Sequence, residues 1–169
     1  AVGEGAQEEG VAGDGQAGNV ISGNRLGGVM LRSGTGNVVQ RNLIGTDLSG
    51  TLAVGNLWIG VVVDSSNNTV GGVGEQGNVI SGNSREGVSL YKPGNFVYGN
   101  LIGTDITGTA PLGNQGWGMY LVSANNRIGG VGAGQEGNLI SANRRDGVQL
   151  WNGGNKIQGN TIGRNQSGT

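Results

Sequence analysis

The chain has 169 residues, 34% of them hydrophobic and 39 of them glycine, with a formal net charge of -1. With neither cysteine nor histidine, it has no disulfide framework, thiolate nucleophile, histidine general base or ordinary zinc site. The near-zero charge argues against a nucleic-acid partner, and no run of 18 apolar residues is present to insert into a membrane as a helix.

Residues 1–17 read as a degenerate first turn or cap. They lack a clear Gly-aliphatic-x-aliphatic triplet, and only Val2 and Val11 fit an apolar rank. From Gly18 the chain repeats. Asn19-Val20-Ile21-Ser22-Gly23-Asn24 returns at Asn78 and, as Asn138-Leu139-Ile140-Ser141-Ala142-Asn143, at Asn138. A second phrase, Asn42-Leu43-Ile44-Gly45-Thr46-Asp47, falls between these and returns at Asn100. Two-turn units therefore begin near residues 18, 77 and 137 of a single domain, and a period of this size marks a solenoid whose neighbouring units complete each other's core.

Three apolar positions recur in every turn. The first follows a glycine: Val29/Leu31, Val61/Val63, Val88/Leu90, Met119/Leu121 and Val148/Leu150. The second is Val39, Val70, Val97, Ile128 and Ile157, and the third is Ile21, Ile44, Ile80, Ile102, Ile140 and Ile162. Glycine and asparagine interrupt any helical stripe, so these positions predict an all-β chain. It forms a single-stranded parallel β-helix of about six turns, with three short strands per turn. Like residues then stack on like at ~4.8 Å spacing, and the six isoleucines are the firmest core rank.

Two asparagine ranks precede inward-facing strands: Asn37, Asn68, Asn95, Asn126, Asn155 and Asn19, Asn42, Asn78, Asn100, Asn138, Asn160. An amide both donates and accepts, and asparagine tolerates a left-handed corner, so stacked amide ladders are expected. Extra chain emerges at two corners on alternate turns, at 71–77 and 129–137 and at 46–59 and 104–117.

The phrases Gly-Asn-Val-Ile-Ser-Gly-Asn, Gly-Val-x-Leu and Gly-Asn-Leu-Ile-Gly-Thr-Asp resemble the repeats of right-handed parallel β-helix proteins, the pectate-lyase-like superfold, as found in large secreted or surface-displayed bacterial proteins. The resemblance covers residues 18–169. It implies a right-handed coil and a secreted or cell-surface location, and it spans lyases, hydrolases, adhesins and stalks. The pectin-degrading relatives use clustered aspartates with a basic residue, or an aspartate pair with a histidine motif, and this chain has neither.

Asp47 and Asp105 open equivalent loops and would stand two turns apart, near the ~6.5–9.5 Å carboxylate separation of inverting glycosidases. An aspartate that starts a turn by accepting backbone N–H bonds explains the same repetition. A calcium ion would need six to eight oxygen ligands, and each loop offers one carboxylate. Tyr91 and Trp151 occupy equivalent outward positions, with Arg32 in their rank, and mark a flank for glycans. Phe96, Tyr98, Trp117 and Tyr120 are the other aromatics of this region. No catalytic residues and no metal ligands are expected.

The two ends differ in charge. Glu4, Glu8, Glu9 and Asp14 stand near the start, and Arg144, Arg145, Lys156 and Arg164 stand in the last turn with Asp146. Neither end shows a capping helix or a proline-rich plug, and head-to-tail association or neighbouring repeats of the same chain are the expected partners. The expected role is a non-catalytic extracellular stalk, adhesin repeat or fibre subunit; the alternative is a carbohydrate-binding or polysaccharide-degrading β-helix.

Overall fold

The computed structural model describes residues 18–130 and 136–164. Among the described residues, sixteen short strands follow one another. They are β1 (Val20–Ile21), β2 (Val29–Leu31), β3 (Val38–Val39), β4 (Leu43–Ile44), β5 (Val61–Val63), β6 (Thr69–Gly71), β7 (Val79–Ile80) and β8 (Val88–Leu90). The second half comprises β9 (Phe96–Tyr98), β10 (Leu101–Ile102), β11 (Met119–Leu121), β12 (Arg127–Ile128), β13 (Leu139–Ile140), β14 (Val148–Leu150), β15 (Lys156–Ile157) and β16 (Thr161–Ile162).

Every third strand pairs with the one before it, always in parallel. The result is a six-stranded sheet β1-β4-β7-β10-β13-β16 and two five-stranded sheets, β2-β5-β8-β11-β14 and β3-β6-β9-β12-β15. The chain is therefore a parallel β-helix with three strands per turn, wound in the right-handed sense that parallel crossovers take.

Register follows the apolar ranks. Ile21, Ile44, Ile80, Ile102, Ile140 and Ile162 pair in succession along the first sheet. Val39, Val70, Val97, Ile128 and Ile157 do so in the third. The Val/Met and Leu/Val positions of β2, β5, β8, β11 and β14 line the second. Together these residues, apart from Leu150 and Ile162 in the last turn, form one continuous core. Removing each such side chain from water contributes ~1.5–3 kcal/mol. The end positions depart from expectation: Ile21 is half-buried, and Leu150 and Ile162 are 41% and 44% exposed. Among the described residues, β1 and β16 each have a strand on one side alone.

The glycine that precedes each second-sheet strand has a steric cause. A Cβ at Gly28, Gly60, Gly87, Gly118 or Gly147 would stand 2.5–2.7 Å from the Cγ2 of Ile44, Ile80, Ile102, Ile140 or Ile162 in the next turn. The isoleucine rank can stack only where this corner carries no side chain.

The asparagine ladders form as expected, but not with the expected backbone. Each ladder asparagine directs its backbone N–H, and in most steps its Nδ2–H, at the Oδ1 of the asparagine one turn later, as Asn42 does to Asn78 (3.0 and 2.9 Å) and Asn78 to Asn100 (3.0 and 2.9 Å). The left-handed corner residue is a neighbour of the ladder asparagine. Asn67 and Asn125 (both φ 57°) precede Asn68 and Asn126, and Arg41 (φ 59°) precedes Asn42. This frees the ladder side chains to face their own kind.

A third ladder runs Asn24, Asn56, Asn83, Asn114, Asn143 at the corner between the first and second sheets. Its members lie at unequal distances from the preceding isoleucine because loops intervene on alternate turns. The sequence signal is instead a constant four-residue step to the corner glycine ahead, from Asn24 to Gly28 through Asn143 to Gly147.

Candidate functional site

The loops carrying Asp47 and Asp105 are small hairpins closed by antiparallel bridges between Thr46 and Ala53 and between Thr104 and Pro111. Asp47 Oδ1 accepts the N–H groups of Thr51 and Leu52, both at 3.0 Å, and Oδ2 accepts the Ser49 hydroxyl at 2.7 Å. Asp105 Oδ1 accepts the N–H groups of Thr109 and Ala110 at 3.1 and 3.0 Å, and the Thr107 hydroxyl lies 2.8 Å from both carboxylate oxygens. The hydroxyl bond from Ser49, followed by the backbone donors, holds the Asp47 carboxyl below the ordinary aspartate value. Both carboxylates are thus engaged in closing their own hairpins.

The hairpins stand on alternate turns, yet they touch. The Ile106 N–H donates to Gly50 O at 3.0 Å, and a Cβ at Gly50 would meet Ile106 Cβ at 2.8 Å. Serines of the turns before them brace their bases: the Ser22 hydroxyl donates to Thr46 O and accepts from the Gly45 N–H, and Ser81 does the same with Thr104 and Gly103. The alternation of the two sequence phrases therefore has a physical basis. The serine of the shorter turn anchors the hairpin of the longer one.

Tyr91 and Trp151 do not form a joint surface. Register places Leu90 beside Leu121 and Leu121 beside Leu150, so Val122 stands between the two aromatic positions. Trp151 is 64% exposed, whereas Tyr91 is half-buried. Burial, then the charge of Glu86, pushes the Tyr91 phenol above its ordinary value, with Tyr120 also contributing. The aromatic cluster lies elsewhere on this flank. Trp117 and Tyr120 stack with centroids 4.9 Å apart, the Arg145 guanidinium lies 4.7 Å from the Trp117 ring centre, and Trp117 Nε1–H donates to Asp146 at 3.2 Å. Glu86, nearly buried in the same region, is 3.7 Å from the Arg85 guanidinium. These groups satisfy one another across adjacent turns.

Arg145 thus serves a packing contact, and Arg144 reaches Gln115 at 3.4 Å. Lys156 on β15 and Arg164 after β16 are exposed. Glu4, Glu8, Glu9 and Asp14 lie outside the described residues. Among the described residues, no three acidic, histidine or cysteine side chains come together to hold a metal ion, and no helix is long and apolar enough to cross a membrane. No family model matches the chain, and no curated protein or solved structure matches it.

Proposed function

We propose that the protein is a structural β-solenoid, a secreted or surface-displayed stalk, adhesin repeat or fibre subunit without catalytic activity. The observation that carries this reading is the set of three amide ladders, which run the length of the described coil beside one continuous core. Such ladders add stiffness along the axis, because each amide is held from above and below. The repeated carboxylates Asp47 and Asp105 are already engaged by the backbone and hydroxyl donors of their own hairpins, which supports a turn-closing role over that of a general base or metal ligand. The extracellular location rests on the resemblance of the repeat phrases. Electron microscopy of the purified protein tests the reading together with a polysaccharide depolymerisation screen: straight rods with no turnover are expected, and release of oligosaccharides would overturn it.

A further inference from the structure

Among the described residues, the outer face of the third sheet holds two cations and no counter-charge. Its outward rank, alternating with the core rank that contains Ile128, reads Val38, Thr69, Phe96, Arg127, Lys156 in register. Arg127 lies in an inner turn, with β9 on one side and β15 on the other. Lys156 is its direct neighbour on β15, so two like charges stand one strand spacing apart, ~4.8 Å at the backbone, and repel. The second outward rank adds the side chains of Gln40, Tyr98 and Gln158, again without a carboxylate.

Neither cation has an ion pair among the described residues. The Arg127 Nε–H is buried and has no hydrogen-bond partner. The ion pairs of the described coil lie elsewhere, between Arg85 and Glu86 and between Lys92 and Asp64. At the adjoining corner, Glu136 Oε2 accepts the Gly74 N–H at 2.9 Å. The segments 131–135 and 165–169 contain no acidic residue. A buried donor without a partner and a like-charged neighbour both cost stability, and an anion bound at this face offsets both.

We infer that Arg127 and Lys156 bind a phosphate group. Two cations match the charge of a phosphate monoester, about -1.5 to -2, better than the single charge of a carboxylate. A guanidinium offers Nε–H and Nη–H as a parallel fork to two phosphate oxygens, and rotation of the Arg127 side chain brings its unpartnered Nε–H into that fork. The Lys156 ammonium adds a point charge with donors for the remaining oxygen. Phe96, 42% exposed, stands next to Arg127 in the rank, and Tyr98 follows on the same face of β9. An apolar carrier of the phosphate therefore has aromatic surface beside the charged pair. The same chemistry serves free phosphate and a phosphate ester, and the carrier distinguishes them.

NMR titration of the full chain tests the site, with phenyl phosphate, inorganic phosphate and benzoate as probes. Phenyl phosphate should shift the Arg127 Nε–H signal saturably and leave that of Arg85, which already faces Glu86, unmoved. Read from the backbone amides of β12 and β15, Arg127→Gln and Lys156→Gln should each weaken binding about tenfold or more. Arg127→Lys keeps the charge but loses the fork, and should weaken it nearly as much as Arg127→Gln. Inorganic phosphate binding as tightly as phenyl phosphate would identify the free anion as the ligand, and weaker binding would identify an ester. Benzoate binding as tightly as phenyl phosphate, equal shifts at every arginine, or no saturable shift would each overturn the site.

Discussion

Truncating Asn100 to alanine removes five hydrogen bonds at the centre of one ladder. As donor, Nδ2 is lost to Val70 O, Tyr98 O and Asn138 Oδ1 at 3.0, 3.0 and 2.9 Å. As acceptor, Oδ1 is lost to the Asn78 N–H and Nδ2–H at 3.0 and 2.9 Å. Some partners keep another bond. Asn78 Nδ2 still reaches Val39 O, and Asn138 Oδ1 still receives the backbone N–H of residue 100. The Asn78 backbone N–H is left with nothing in a buried position. At about 1 kcal/mol per net bond, plus about 1–3 kcal/mol for the orphaned donor, the loss is about 4–6 kcal/mol after allowing for the surviving bonds. That is a large part of the ~5–15 kcal/mol of a typical domain.

Asn19→Ala is the control. Its Nδ2 makes one ladder bond in an exposed first turn, while the Asn19 N–H still reaches Asn42, so the loss should be about 1 kcal/mol or less. Urea unfolding followed by tryptophan fluorescence compares the two. Loss of stability within about 0.5 kcal/mol of each other would refute the claim that the amide stack is cooperative structure, because it would assign equal weight to a buried central rung and a half-satisfied terminal one.

Ala142 holds φ 56° where Gly23 and Gly82 stand in equivalent turns, so Ala142→Gly should raise stability by about 0.5–1 kcal/mol in the same assay. Gly60→Ala should destabilise by about 3 kcal/mol or more, since the new Cβ would lie 2.6 Å from Ile80 Cγ2 and 2.7 Å from Gly87 O; differential scanning calorimetry reads the drop. Asp47 has a lowered carboxyl pKa, so its contribution is present above the unfolded value near 3.9 and is lost as pH falls through the folded value. Carbon-detected NMR titration should find Asp47 titrating below 3.8, and titration at or above that value would contradict the hairpin bonds. Arg145→Ala should expose the Trp117 ring and red-shift its emission, whereas Arg144→Ala should not.

The parts legible in the sequence were those in which one residue type recurs at one structural position. The isoleucine, valine and leucine ranks, and two of the asparagine ladders, belong to that class because close packing admits little substitution along a narrow interior. The third ladder was hidden because hairpins on alternate turns vary its distance from the isoleucine behind it, although its step to the glycine ahead is constant. The stack of Trp117, Tyr120 and Arg145 was hidden for another reason. Trp117 and Arg145 come from different turns, and only the winding brings residues 28 positions apart into contact. The pairing of Tyr91 with Trp151 came from equivalence of position, but equivalent positions two turns apart are separated by the rung between them. The contact between the hairpins of Asp47 and Asp105 followed from their lean across the shorter turn, which spacing along the chain does not encode.

Hydrogen exchange of the asparagine side-chain amides by NMR tests the central claim most directly. Inner members of all three ladders, such as Asn78, Asn83, Asn95 and Asn100, should exchange at least a hundredfold more slowly than Asn19, Asn24 and Asn152, which lie in the first turn or on the exposed flank. Uniformly fast exchange across these residues would contradict the stacked coil.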